Sequence, residues 1–351
     1  VADLPPLPTA YTVRDLRIEP NVVLAPMEGV TDLTFRRLIR NIGGAGLTCT
    51  EFIASAWLSE DGHKRARALA AFDPDERPVS LQIYGKDPAV MAEAARRVQD
   101  MGATICDINM GCPSKKVCKN SGGSALMRDP ELAVRIVRAV RAAIDIPLTV
   151  KMRSGFDAEH RNAPELCAMF EEEGAEALTI HWRTRDDLYG GTRAVDKIAE
   201  AVDRVEVPVI ANGDVVDPAS AERMLRETGA AGVMVGRGAM RNPWSLLNIA
   251  QHLRGEPLTH PTAEERHRVL VRFLLDQRPR FRSETAALGR FKKVANHFCR
   301  GVPHGEALLR RAVLRSQTID EAIGHADRYF GLLAAYEAGD TAAFDAALAA
   351  A

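Results

Sequence analysis

Long apolar runs are missing from this chain of 351 residues: no stretch reaches the ~18 uninterrupted apolar residues that a membrane-spanning helix needs. The opening, Val1 to Arg17, also lacks the basic-then-apolar pattern of a secretory leader. A cytoplasmic protein with no membrane contact is therefore expected. Cysteine is sparse. Cys49, Cys106, Cys112, Cys118, Cys167 and Cys299 are thin coverage for such a length and form no extracellular framework, so reduced thiols are expected. The even spacing of Cys106, Cys112 and Cys118 does not match a zinc knuckle, and no metal site is expected. An excess of either charge is lacking too, since 46 Lys and Arg against 47 Asp and Glu leave a net charge of −1. That balance argues against indiscriminate polyanion binding by the whole surface, although not against a local basic face. With 46% apolar and 26% charged residues, collagen-like, coiled-coil and disordered readings fall away as well.

What is present is strict alternation. Apolar, β-branched runs bounded by Gly or Pro read as buried parallel strands at Val22–Ala25, Gly46–Thr50, Val79–Tyr84, Thr104–Asn109, Leu148–Met152, Ala177–His181, Val207–Ala211 and Gly232–Val235. Helix-period segments separate them at Thr31–Asn41, Ala54–Ala70, Pro88–Met101, Pro130–Ala143, Ala163–Glu173, Ala194–Val202 and Pro218–Thr228. Asp129-Pro130 and Asp217-Pro218 place a capping oxygen before a proline at the first helical position. Eight repeats of this kind predict a (β/α)8 TIM barrel. An open doubly wound sheet is disfavoured, because Ala25-Pro26-Met27-Glu28-Gly29-Val30 lacks the Gly-x-Gly-x-x-Gly turn expected after its first strand. A last barrel helix is expected to run to Leu253, and Arg254-Gly255-Glu256-Pro257 reads as a linker. Beyond it, Ala263–Gln277, Thr285–Arg300, Glu306–Arg315 and Ile319–Ala338 are helical in period without strand signals. The expected organisation is a barrel over residues 1–253 followed by a small C-terminal α-helical bundle over 254–351.

In such barrels the chemistry collects where strands end and their loops begin. Those ends offer Pro26 and Met27, Glu51, Gln82, Asn109 with Cys112, Lys151 with Arg153, His181 with Arg183, Asn212 with Asp214, and Gly236 with Arg237. Each alone has an ordinary structural use, such as a capped loop or a paired charge; their coincidence on one rim points to a site. Asn212-Gly213-Asp214 and Gly236-Arg237-Gly238, after the seventh and eighth strands, fit the position where barrels hold a phosphate, with Arg237 supplying charge. A phosphorylated cofactor is implied. Cys112 lies just past a strand beside Lys115 and Lys116, where a thiol can give or take a proton. Lys151 has two uses at a barrel mouth: a Schiff base with a carbonyl substrate, or a fixed cation opposite a reduced ring.

These blocks resemble the tRNA-dihydrouridine synthase family, flavoproteins that reduce a uracil ring in tRNA. The resemblance runs through Leu24-Ala25-Pro26-Met27-Glu28-Gly29-Val30-Thr31-Asp32, Gln82-Ile83-Tyr84-Gly85, Asp107-Ile108-Asn109-Met110-Gly111-Cys112-Pro113-Ser114, Thr149-Val150-Lys151-Met152-Arg153, His181-Trp182-Arg183-Thr184-Arg185, Ile210-Ala211-Asn212-Gly213-Asp214 and Met234-Val235-Gly236-Arg237-Gly238. It implies FMN as the cofactor and NADPH as the reductant. Ala25, Pro26 and Met27 would lie against the isoalloxazine, Gln82 and Lys151 would bond its edge, and His181 would stand near it. Asn212, Gly213, Asp214, Gly236 and Arg237 would hold its tail. Hydride would pass from FMN N5 to uracil C6 while Cys112 protonates C5, and Asn109, Arg153 and Arg183 would contact the substrate. The loop from Cys112 to Leu126 is expected to close over a flipped-out uridine. Trp182 departs from the pattern, which usually has glycine after the histidine.

Between Arg278 and Arg315, ten basic residues face two acidic ones, Glu284 and Glu306. This predicts a surface that tracks tRNA phosphates, with Lys292 and Lys293 among its contacts. The protein is expected to act as a monomer. Two rival functions remain: an FMN-dependent dehydrogenase of a small pyrimidine, similar to dihydroorotate dehydrogenase, and a lyase that uses Lys151 as a Schiff base.

Overall fold

The computed structural model describes residues 5–60, 62–114, 117–118, 122–188 and 190–351. It opens with an antiparallel hairpin, β1 (Tyr11–Val13) and β2 (Leu16–Ile18). The barrel strands follow as β3 (Val22–Leu24), β4 (Leu47–Cys49), then, after a short β5 (Ile53–Ala54), β6 (Val79–Tyr84), β7 (Ile105–Met110), β8 (Leu148–Arg153), β9 (Ala177–His181), β10 (Val209–Asn212) and β11 (Gly232–Val235). Neighbours pair in parallel around the ring, β4 with β6 and β11 back to β3, so eight strands close a barrel with helices outside. Their continuous apolar runs follow from burial on both faces: β7 and β11 have no exposed residue.

The helices form where capping and period agree. Pro218–Thr228 matches its expectation residue for residue: the Asp217 side chain accepts from Ser220 N at 2.8 Å, Pro218 takes the first position, and Gly229 ends the helix at φ 67°. The single helix expected over Ala54–Ala70 is instead two, Ser55–Ser59 and Lys64–Ala70, because Glu60 and His63 are extended and Gly62 sits at φ 77° between them. Glu306–Arg315 is present with its first turn, Glu306–Arg310, widened to a π-type turn. Among the described residues, the short α-helices Arg237–Arg241 after β11 and Ala342–Ala349 in the Ala-rich tail had no expectation.

The hairpin was also unexpected, and it closes the bottom of the barrel. Tyr11, Val13 and Ile18 pack with the inward residues Val23, Leu47, Ile105, Ala177 and Ile210. A cavity of about 20 Å³ remains inside, about the space one water needs. The opposite end, at the C-terminal edges of the strands, is left as the mouth. Outside the sheet the apolar core runs on into the C-terminal helices, where Phe35 meets Phe273 edge-on at 5.9 Å and Phe273 meets Phe291 at 6.3 Å. Among the described residues no helix is long and apolar enough to cross a membrane.

Candidate active site

Strand register gathers the polar side chains. It sets Gln82 beside Asp107, Asn109 beside Lys151, and Arg153 beside His181, which in turn neighbours Asn212. Gln82 donates to Asp107 at 2.6 Å and accepts from Asn109 Nδ2 at 2.7 Å, while the Thr149 hydroxyl donates to the other Asp107 oxygen. Burial pushes the Asp107 carboxyl up to about 6 against those hydrogen bonds. Asp107 was not among the expected site residues. Its signal was there: side chains alternate along a strand, so Asp107 and Asn109 share the inward face.

Asn109 shapes the turn that carries the thiol. Its Oδ1 accepts from Gly111 N at 3.1 Å and Cys112 N at 2.9 Å. The Cys112 carbonyl is held in turn by Ser124, through N at 3.2 Å and Oγ at 2.9 Å, and by Cys118 Sγ at 3.4 Å. Burial raises the Cys112 pKa, the Ser114 N–H opposes that rise, and Glu28 adds to it. The thiol is thus protonated at neutral pH. Lys115 and Lys116, expected beside it, and residues 119–121 of the expected closing loop lie outside the described residues.

Lys151 carries the most telling electrostatics. Its ammonium has no hydrogen-bond or ion-pair partner among the described residues, and burial, then Arg153, bring its pKa down from 10.5 to about 8. His181 is held well below its ordinary value by burial and by Lys151, Arg153, Arg183 and Arg237. It is neutral at pH 7. The Arg183 Nη1 stands 3.4 Å from its Nε2, so Nε2 is the acceptor and the ring proton is assigned to Nδ1.

The far side of the mouth is a chain of charges. Asp214, at φ 54°, accepts from Arg183 at 2.7 and 3.1 Å and from Arg237 at 2.8 Å. The Arg183 guanidinium lies 4.0 Å over the buried Trp182 indole. Trp182 explains the glycine beside it. A Cβ on Gly213, whose φ is 115°, would stand 2.5 Å from the indole and 2.6 Å from His181 Cδ2. Gly213→Ala is accordingly expected to cost about 1–3 kcal/mol of stability, through strain and overpacking. A double-mutant cycle with Trp182→Ala checks this: a denaturant midpoint showing coupling between the two sites is the expected result. Gly236 faces Ala25 and Met27 across the β11–β3 seam, and Asn212 Nδ2 donates to Met234 O at 2.8 Å.

Other expected contacts have partners within the protein. Arg153 donates to the carbonyls of Gly111 (2.9 Å), Thr184 (2.6 Å) and Leu188 (3.1 Å), and Arg183 to that of Gly190 (2.6 Å), so both tie loops together. Lys292 donates to Ser316 O and Lys293 to Glu28 O at 2.7 Å.

The mouth therefore offers a half-buried ammonium unpartnered among the described residues, a neutral imidazole, an Arg–Asp–Arg chain and a protonated thiol on one rim. The family model for "Dihydrouridine synthase (Dus)" matches residues 23–327. The chain belongs to the dihydrouridine synthase family. It is 49% identical over 242 residues to a probable tRNA-dihydrouridine synthase of Rhodobacter capsulatus, covering 69% of this chain and 74% of that one. It is 42% identical over 259 residues to tRNA-dihydrouridine synthase B of Pseudomonas aeruginosa, covering 73% and 76%. Among solved structures, morphinone reductase in complex with tetrahydroNAD aligns at a TM-score of 0.50 with 14% identity, over 75% of this chain and 94% of that one. A variant of NCR from Zymomonas mobilis aligns at 0.52 with 17% identity, over 75% and 95%. At such identity these two likenesses speak for the barrel fold alone. Membership makes the chain an oxidoreductase of the dihydrouridine synthase class.

Proposed function

We propose that the protein reduces a uridine of tRNA to 5,6-dihydrouridine, with FMN held in the barrel mouth and NADPH as the source of electrons. The observation that carries this reading is Lys151, a partly buried ammonium with no hydrogen-bond or ion-pair partner among the described residues, beside Arg153 and beside a His181 that Arg183 and Arg237 also approach. Such a site is preorganised for an anionic ring and a phosphate. Ala25, Pro26, Met27, Gln82, Lys151 and His181 hold the ring of the cofactor, and Asn212, Gly213, Asp214, Gly236 and Arg237 hold its tail. Bound there, a reduced flavin would supply the hydride chemistry at C6 of the uracil, with NADPH as the electron source, and the protein would be left to provide a proton at C5. Cys112 provides it, since its raised pKa keeps the thiol protonated. The Ser114 N–H then stabilises the thiolate left behind. Asn109 retains one amide N–H beyond its bond to Gln82, and this N–H serves the uracil edge. Arg153 and Arg183 act as positioning residues, setting the loops that border the substrate.

We further assign catalysis to the barrel, residues 1–253, and RNA binding to residues 254–351. The test of the whole reading begins with colour. Purified protein should carry flavin absorbance, and a colourless preparation that FMN does not reconstitute contradicts it. Arg237→Ala is expected to lose flavin on gel filtration where wild type retains it, and full retention would place the phosphate elsewhere. The depressed Lys151 pKa favours one second reading, a Schiff-base lyase. Borohydride trapping of a carbonyl compound on Lys151 would support it, and bound flavin with no trapping would remove it.

A further inference from the structure

The ten basic residues between Arg278 and Arg315 do not form one uniform surface. Five have partners within the chain, some of them at its surface. Arg290 bridges to Asp32 Oδ2 at 3.6 Å and Glu51 Oε1 at 3.5 Å, and Lys293 donates to Glu28 O. Lys292 donates to Ser316 O, while Arg300 and Arg310 share Glu306 at 2.8 and 3.0 Å. Like Arg311 and Arg315, Arg278, Arg280 and Arg282 are exposed, and no hydrogen-bond or ion-pair partner exists for their side chains among the described residues. They crowd into one five-residue turn, Arg278-Pro279-Arg280-Phe281-Arg282, between the helices Ala263–Gln277 and Glu284–Phe298.

The position of this turn is fixed from both ends. Before it, buried Gln277 reaches Asp32 Oδ2 at 3.4 Å. After it, Arg290 lies 5.9 Å over the half-buried Phe281 ring and pairs with Asp32 and Glu51. Glu28 and Asp32 belong to the loop that leaves β3 through Pro26 and Met27, and Glu51 follows β4. Arg290 and Lys293 thereby pin the turn to the β3 and β4 side of the mouth. Burial raises the Glu51 pKa, and the Arg290 guanidinium is the largest influence opposing that rise. Three guanidinium groups with no internal partner, carried on a short proline-containing turn, match phosphodiester oxygens in charge and hydrogen-bonding geometry.

We infer that the Arg278–Arg282 turn docks the phosphates of the RNA strand flanking the target uridine, while Arg290 and Lys293 position that turn against the mouth. This rests on the proposed function and replaces the expectation that Lys292 and Lys293 themselves meet the RNA. Because phosphate contacts orient a nucleic acid without reading its sequence, the turn sets how the strand enters the site, not which base is chosen.

The test compares two charge-matched double variants of the flavin-loaded protein, Arg280→Ala/Arg282→Ala and Arg311→Ala/Arg315→Ala, in binding to tRNA lacking dihydrouridine across a salt series. The first is expected to weaken binding about tenfold or more near 0.1 M salt and to lower the slope of log affinity against log salt by about 1.4–1.8, two phosphate contacts' worth. Its flavin content and thermal unfolding should match wild type, and its rate at saturating tRNA should stay within about twofold, since docking phosphates acts on binding rather than on the chemical step. The second should keep wild-type affinity within about threefold, because Arg311 and Arg315, though equally exposed, lie outside the turn that Arg290 and Lys293 pin to the mouth. Equal losses in the two variants, or an unchanged slope in the first, would overturn the inference while leaving the functional reading standing. Wild-type protein that carries flavin but shows no salt-dependent tRNA binding would overturn both.

Discussion

Cys112→Ala protein is expected to keep its flavin and its tRNA affinity and to lose uracil reduction by at least about 10²-fold, the usual worth of a positioned general acid. The reason lies in the turn built around the residue. Asn109 and Ser124 hold its backbone through N and O, so removing Sγ leaves the turn in place. Reduction of the flavin by NADPH should proceed as in wild type, and only its reoxidation by tRNA should slow. The pH dependence has a definite sign. A general acid works only when protonated, and burial lifts the Cys112 thiol above its ordinary 9.0. The rate of flavin reoxidation by tRNA should therefore stay level through neutral pH and fall only above about 9. Stopped-flow traces of the two half-reactions separate these outcomes, and an unchanged oxidative half-reaction in Cys112→Ala would remove the thiol from the role.

Lys151→Met should separate stability from binding with opposite signs. Burial and Arg153 lower the lysine to about 8 from 10.5 in the protein without cofactor. Between those two values the unfolded chain binds more protons than the folded one, so stability rises with pH there and the charge is a cost at pH 7. Lys151→Met removes that cost, and the cofactor-free variant should melt higher than wild type at pH 7. Flavin affinity should move the other way. If the bound anion restores the ordinary pKa, linkage makes the charged form bind about 10²–10³-fold more tightly than a neutral one. Wild-type flavin affinity should likewise fall as pH rises above about 8. Fluorescence titration and thermal melts at pH 7 and 9 check both signs, and a variant that binds flavin as wild type does would place the anion away from Lys151.

Much of this was legible because the barrel strands are buried on both faces and so read as continuous apolar runs. Capping chemistry is local, which is why Pro218–Thr228 emerged intact between Asp217 and Gly229. The plug hairpin was not legible: its strands are three residues each, and Arg14 and Asp15 interrupt them. The break within Ala54–Ala70 turned on Gly62, one residue whose left-handed backbone overrides an otherwise helical period. At the site, strand-end position was enough to collect the expected residues on one rim. Sequence could not say which cations were already engaged, because Lys293 meets Glu28 and Arg290 meets Asp32 across more than two hundred residues of chain. Asp107 was missed although its inward parity with Asn109 was readable.

The most direct measurement is the anaerobic mixing of pre-reduced, flavin-loaded protein with tRNA that lacks dihydrouridine, followed by flavin absorbance and by nucleoside analysis of the RNA. Return of the oxidised flavin spectrum with one dihydrouridine formed per flavin oxidised is the predicted result. Flavin that stays reduced in the presence of bound tRNA, yet is oxidised by a free pyrimidine, would contradict the account.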